Sequence, residues 1–268
     1  MHILYIGLAA VFYLIATFIP LRFRGAISMI VVLGWLAHAL ALNGEIDPHG
    51  ALRIGFAVML SVTLWVSEAA YWIENRNFPL DSLRFLVLPC AAVAAVLPAL
   101  FPGEIMQLDQ RSPLFSWHIA IAMMAYSTLT IAAFHAVLMA LQETRLHAHP
   151  GARTGWFASA IDRLPALLTM EKLLFRMISL GFILLTLTVL SGVVFSEQLF
   201  GKAFKWDHKT AFTMMSWVLF GALLVGRHWR GWRGKTALRF ILLGFSTLFL
   251  AYIGSRFVFE VVLHRTFV

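Results

Sequence analysis

Eight apolar stretches, each about long enough to cross a bilayer, dominate this chain. A hydrocarbon core about 30 Å thick takes roughly 20 helical residues. The stretches fall at about residues 3–20, 26–43, 54–73, 85–101, 116–141, 173–195, 210–227 and 237–258. Backbone amides and carbonyls in lipid have no water to bond, so each stretch must satisfy them internally as an α-helix. The reading is an all-α, polytopic membrane helical bundle of about eight transmembrane helices. It forms a single membrane domain over residues 1–268, because no connection is long enough to separate two. Composition agrees: the chain is 60% hydrophobic and 13% charged, where a soluble domain carries about 25% charged residues.

Charge sets the expected orientation. The net charge of +8 would point to nucleic acid in a soluble protein. Here most basic residues lie between apolar stretches, so no nucleic-acid partner is expected and topology is the simpler cause. Arg22 and Arg24 follow the first stretch; Arg145, Arg153, Arg163, Lys172 and Arg176 follow the fifth; Arg227, Arg230, Arg233, Lys235 and Arg239 follow the seventh. These three connections are expected on the cytoplasmic side. The connections after stretches two and four are acidic or nearly neutral, with Glu45 and Asp47 in one and Glu104 and Asp109 in the other. They are expected outside, which puts both termini outside. The N-terminal stretch lacks a basic lead and has its charges behind it, so it reads as a retained first span rather than a signal peptide. The lone cysteine, Cys90, excludes an internal disulfide and any cysteine-based metal or iron–sulfur site. The segment 155–168, GWFASAIDRLPALL, has apolar residues at helical spacing and is expected to form a short interfacial helix.

Histidine is the residue type that stands out, with ten in the chain. His118 follows Trp117 at the outer start of the fifth stretch, His208 follows Trp206 and Asp207 at the outer start of the seventh, His264 lies at the outer end of the eighth, and His38 sits in the outer half of the second. Imidazole in or near lipid is expensive and usually has a partner. Four imidazoles at similar depth beside tryptophan rings suit an external haem site, with neutral imidazole as axial ligand and indoles against the porphyrin. The ordinary alternatives are a helix-packing histidine and a tryptophan anchored in the aromatic belt. The residues alone leave both open.

Other groups point elsewhere. His135 shares the fifth stretch with His118, but the intervening 17 residues span about 25 Å of helix, so it belongs near the opposite side. Glu68 is a carboxyl inside the third stretch, where such groups mark ion or proton paths or are held by structural hydrogen bonds. His147 and His149 flank Ala148 in a connection and read as solvated. The segment RHWRGWRGKTALR, residues 227–239, is a basic and aromatic cluster suited to anionic membrane lipid. No P-loop, dinucleotide fingerprint, His-Glu-x-x-His or Gly-x-Ser-x-Gly motif is present.

The segments WHIAIAMMAYSTLTIAAFHAVLMALQE, WDHKTAFTMMSWVLFGALLVGR and AYIGSRFVFEVVLHR, in that order and spacing, resemble the cytochrome c assembly protein family of haem-handling membrane proteins (CcsA/HemX-like). Within it the likeness is to a short bacterial inner-membrane branch, and its core covers about residues 60–268. The resemblance implies an external haem site. Better-studied members carry a tryptophan-rich loop ending in Trp-Asp-Pro-Lys between two external histidines that ligate haem. Trp206, Asp207 and Lys209 match that ending, His118 matches the preceding histidine, and His264 is similarly placed to the following one. The chain departs from the pattern in three respects. His208 replaces the proline, the other loop tryptophans are missing, and Val225 falls where haem-transporting members have a membrane-embedded histidine, with His228 one turn later.

The resulting expectation is a haem-binding, haem-handling inner-membrane protein of cytochrome c assembly with no catalytic turnover of its own. His118 and His264 would ligate the haem iron; Trp117, Trp206, Asp207, His208 and Lys209 would form the rim, and His38 an inner neighbour or alternative ligand. Its partners would be membrane lipid, other maturation proteins and apocytochrome c. Two rivals stand beside it: a haem-free structural or regulatory subunit of the same fold acting through a protein partner, and a small ion or solute transporter using Glu68. Asp207 also has a structural role to play, as the cap of the seventh helix.

Overall fold

Each of the eight apolar stretches forms a helix in the computed structural model, which describes residues 2–44, 51–77, 80–107, 113–146, 161, 164–200 and 207–262. The helices are α1 (His2–Phe18), α2 (Arg24–Asn43), α3 (Phe56–Asn77), α4 (Arg84–Leu100), α5 (Pro113–Leu146), α6 (Leu167–Phe200), α7 (His208–Arg230) and α8 (Gly234–Phe249). Helical structure runs on from α8 to Val262, through π-helical turns at Leu250–Gly254 and Val258–Val262 on either side of Ser255–Phe257. Among the described residues, six helices are long and apolar enough to cross a membrane. The other two, α1 and α4, have 17 residues each, the lower limit for a span.

Contacts between successive helices define an up-and-down array. His2 Nε2 of α1 lies 2.9 Å from the Ala41 carbonyl near the end of α2, and Trp35 of α2 and Trp65 of α3 each donate an indole N–H to the other's backbone carbonyl at 3.1 Å. Their rings stack with centroids 4.6 Å apart. Leu129 of α5 meets Gly181 of α6, Trp217 Nε1 of α7 donates to Thr186 Oγ1 of α6 at 2.9 Å, and Ser216 Oγ donates to the Gly244 carbonyl of α8 at 2.8 Å. The array therefore gathers the starts of α1, α3, α5 and α7 at one end of the bundle.

Lipid offers no hydrophobic drive for helices to associate, so close approach through small residues does the work. Between α1, α2 and α4 this is visible in buried Ala9, Ala16, Ala37, Ala91, Ala92 and Ala95. A Cβ on Gly34 would lie 2.9 Å from the Tyr13 ring. A second core joins α5 through α8, centred on Leu129, Ile131, Ile178, Phe220, Leu223 and Ile241.

Two features go beyond the sequence expectation. Helices α5 and α6 have 34 residues each, about 51 Å, so both outrun the bilayer. Arg145, Lys172 and Arg176, assigned from sequence to a connection, lie on these extensions. Hydropathy marks where lipid begins, whereas good helix formers such as Gln142, Glu143 and Arg145 carry the helix on. A two-stranded antiparallel sheet, β1 (Ala51–Ile54) and β2 (Glu104–Gln107), ties the α2–α3 and α4–α5 connections together at the end where α5 begins. Its register pairs Arg53 with Ile105. Of the expected interfacial helix over 155–168, residues 155–160, 162 and 163 lie outside the described residues, residues 164–166 are not helical and Leu167 already opens α6; His147 and His149 also lie outside the described residues.

At the opposite end, the α7–α8 turn is tight. Gly231 closes α7 at φ 65°, a left-handed conformation that favours glycine. Arg227 and Arg233 both hold Glu171 at the start of α6, Arg233 through two nitrogens at 2.8 and 2.9 Å. The Glu171 carboxylate raises the Arg233 guanidinium above its ordinary pKa.

Candidate functional site

His118 is the fixed point of the candidate site. It lies six residues into α5, and its Nδ1 is 2.7 Å from Ser191 Oγ on α6. A Cβ on Gly192 would sit 3.6 Å from His118 Cε1, so the imidazole edge packs on bare backbone there. The small pair Ser191-Gly192 thus gives the ring both a hydrogen bond and room. Trp117, beside it, is 68% exposed.

The pairing of α6 with α7 puts the start of α7 at this same end. Thr186 is level with Trp217, and Gly221 faces Phe182. By that register Ser191 is level with about the second turn of α7. Asp207 caps this helix: its backbone is extended and its carboxylate accepts the Thr210 N–H at 2.8 Å. Burial alone would raise its pKa. The Thr210 hydrogen bonds and the adjacent Lys209 and His208 outweigh burial and hold the carboxyl below the ordinary aspartate value. The capping role read from sequence is therefore present.

His208 opens α7, and Lys209 next to it places its ammonium 5.6 Å from the centre of the Tyr252 ring. Arg256 approaches the same ring at 5.8 Å. Tyr252 in turn meets Tyr126 of α5 edge-on, with centroids 6.4 Å apart. Tyr252 lies in the first π-helical turn and Arg256 just beyond it. A π turn inserts an extra residue into the helical repeat and re-aims the side chains after it. Two cations and two phenol rings are thereby drawn together at the His118 end.

Tyr252, Arg256 and Ser191 escaped the sequence reading. Arg256 had a signal, since a lone arginine within an apolar stretch seldom lacks a role. Ser191 had none, because an intrahelical serine bonded to the Leu187 carbonyl is ordinary. Trp206 and His264 fall outside the described residues. His38 is fully buried, with Nδ1 3.2 Å from Tyr13 Oη and Nε2 2.8 Å from Ser61 Oγ. Both ring nitrogens are engaged inside the bundle. Val225 is 48% exposed on the outer surface of α7.

Among the described residues no group of three or more histidine, cysteine, aspartate or glutamate side chains could enclose a metal ion. Haem asks less of a protein, because the macrocycle supplies four of the iron's ligands and the chain only axial ones. An oriented imidazole, an exposed indole and two nearby cations fit such a group.

Comparison with known proteins agrees in kind. The model of the cytochrome c assembly protein family matches residues 1–263. The inner membrane protein YpjD of Escherichia coli strain K12 is 28% identical over 248 residues, covering 90% of this chain and 88% of that protein. The cytochrome c biogenesis protein CcsA of Prochlorococcus marinus is 23% identical over 288 residues, covering 89% and 91%. CcsA of Chlamydomonas reinhardtii is 26% identical over 251 residues, covering 90% and 67%. No solved structure matches. The chain is a multi-pass bacterial inner-membrane protein and belongs to the cytochrome c assembly protein family.

Proposed function

We propose that this protein handles haem for cytochrome c assembly and holds it at the end of the bundle where α5 and α7 begin, with that end facing outward. Membership of the family supports a role in cytochrome c biogenesis. The observation that carries the finer reading is His118, held by Ser191 at 2.7 Å through Nδ1. A hydrogen bond to one ring nitrogen fixes the tautomer and aims the other as a ligand. His118 and His264 would hold the iron, Trp117 and Trp206 would cover the macrocycle, and Asp207 and His208 would complete the rim. Lys209, joined by Arg256, supplies positive charge for the anionic propionates.

Haem would be the cargo, presented whole for attachment to an apocytochrome; thioether formation itself needs the substrate's thiols and reduced haem iron. The chain's task is to bind, orient and present, without turnover of its own. Apocytochrome c or another maturation protein is the partner, met at the outer face. Positive charge around Arg227, Arg230, Arg233, Lys235 and Arg239 at the other end supports this orientation.

One observation favours the haem-free reading, in which the fold serves as a structural or regulatory subunit. Val225, where haem-transporting relatives carry an intramembrane histidine, projects outward and is 48% exposed. The two readings are separated by purifying the wild type and His118→Ala from haem-replete cells. Haem retained by the wild type and lost from the variant supports the handling role; equal haem content in both removes His118 as a ligand.

A further inference from the structure

A second polar site lies in the other half of the bundle, away from His118 and the start of α7. Glu68 stands on α3 about 18 Å along the helix from Phe56, well inside the membrane-spanning segment. It is fully buried, and neither carboxyl oxygen makes a hydrogen bond of normal geometry among the described residues. An ionised carboxylate so placed would cost many kcal/mol unless it held a proton or met a cation.

Its surroundings are specific. From α1, the Tyr13 hydroxyl interacts with Glu68 and lies 3.2 Å from His38 Nδ1 of α2. His38 Nε2 is 2.8 Å from Ser61 Oγ. Tyr71, three residues beyond Glu68 on α3, is within electrostatic reach of Glu68, Asp81 and Arg84. The charged pair beyond it is engaged: Arg84 donates to the Ile19 carbonyl at 2.9 Å, and Asp81 accepts from Arg24 at 2.6 Å. On α5, which packs against α3 through Ser127 and Ser67, the buried titratable groups are Tyr126 and His135. A cross-tie of Tyr13, His38 and Ser61 would by itself explain three of these groups as helix packing. It gives no reason for a carboxyl at position 68, where glutamine or leucine would fill the same space.

We propose that Glu68, Tyr13 and His38 form a proton-binding site within the membrane, in which the Tyr13 hydroxyl passes one exchangeable proton between the carboxyl and the imidazole. In the neutral state Glu68 carries the proton and the Tyr13 O–H donates to His38 Nδ1. When the Glu68 proton moves to Tyr13 Oη, the original Tyr13 proton moves to His38 Nδ1. Glu68 is then a carboxylate and His38 an imidazolium whose Nε2–H donates to Ser61. Atoms and net charge are unchanged, and the two charges are bridged by Tyr13. Beside the site, Val31, Val32, Trp35, Trp72, Ile73 and Glu68 line a cavity of about 270 Å³ between α2 and α3. Ile73 at its edge is 57% exposed on the membrane surface, so a lipid-soluble reagent has a lateral approach.

The test uses the full-length protein in nanodiscs and dicyclohexylcarbodiimide, a lipid-soluble probe that modifies protonated carboxyls, with adducts mapped by mass spectrometry across pH. Glu68 is expected to be labelled at neutral pH, and Glu68→Gln to lose that adduct. Tyr13→Phe and His38→Gln should each move the pH profile of labelling by about one unit, a tenfold rate change at fixed pH. Circular dichroism matching the wild type confirms that each variant is folded. Absence of a Glu68 adduct would overturn the site, and a profile unmoved in both neighbour variants would overturn the sharing. The proposal does not rest on the haem reading: Glu68→Gln and Tyr13→Phe are expected to retain haem as the wild type does, so the two can fail separately.

Discussion

His118 and Ser191 are bound across the α5–α6 interface, with 2.7 Å between Nδ1 and Oγ. Ser191 is itself anchored, donating to the Leu187 carbonyl at 2.7 Å. An imidazole with one nitrogen tied to a rigid helix loses little freedom when the other takes a ligand. Ser191→Ala should therefore leave the fold intact while weakening haem retention by about tenfold, measured by haem titration of the apoprotein. Gly192→Val, which crowds the ring edge, should do the same with the serine still present.

The cap of α7 makes a prediction in pH. Asp207 has a folded pKa below its unfolded one. It therefore binds fewer protons when folded, and its contribution to stability is complete above the ordinary aspartate pKa. That contribution is lost as pH falls through the lower folded value. Protection of the first-turn amides of α7 against hydrogen exchange, taken relative to the intrinsic rate at each pH, should fall on acidification below about pH 4. Asp207→Ala should show the reduced protection at every pH, with a stability loss of about 1 kcal/mol; Asp207→Asn, also a good cap, should lose the pH dependence alone.

Glu171 serves two arginines at once, and its side chain is 10% exposed against 28% for Arg227. Removing the carboxylate leaves two neighbouring cations without it. Glu171→Ala should lower thermal stability in detergent by about 2 kcal/mol. Arg233, which is 51% exposed, should matter less: Arg233→Ala is expected to lower stability less than Glu171→Ala does, and less still at high salt.

Gly226 lies under Trp232, whose ring would be 2.3 Å from an added Cβ. Gly226→Ala must therefore displace the indole from the α7–α8 turn. The expected cost is about 1–3 kcal/mol, with a change in tryptophan emission as Trp232 moves. Gly25→Ala, where an added Cβ would meet only open space, is the matched control and should be nearly neutral.

Much of this fold was legible because lipid imposes a length and an internal hydrogen-bond pattern on every span. All eight helices overlap the stretches read from hydropathy, including α4 despite Pro89 and Pro98. The sheet of β1 and β2 was not legible, since four-residue strands in short connections carry no periodic signal of their own. Depth along the membrane was also readable, and it brought His118 and the Asp207–Lys209 cluster to one end. Direction around a helix was not. His38 has a depth suited to the haem site but is turned toward Tyr13 and Ser61, and only packing against α1 and α3 decides that. Tyr252 and Arg256 depend on π turns, which arise from tertiary strain and leave no pattern in the residues.

The most direct measurement is the absorption spectrum of the wild-type protein, purified in mild detergent from haem-replete cells, in oxidised and reduced forms. A haem held by two axial histidines predicts a Soret band with sharp, split low-spin visible bands on reduction. A colourless protein that also takes up no added haem would contradict that site and leave the haem-free subunit as the function of this fold.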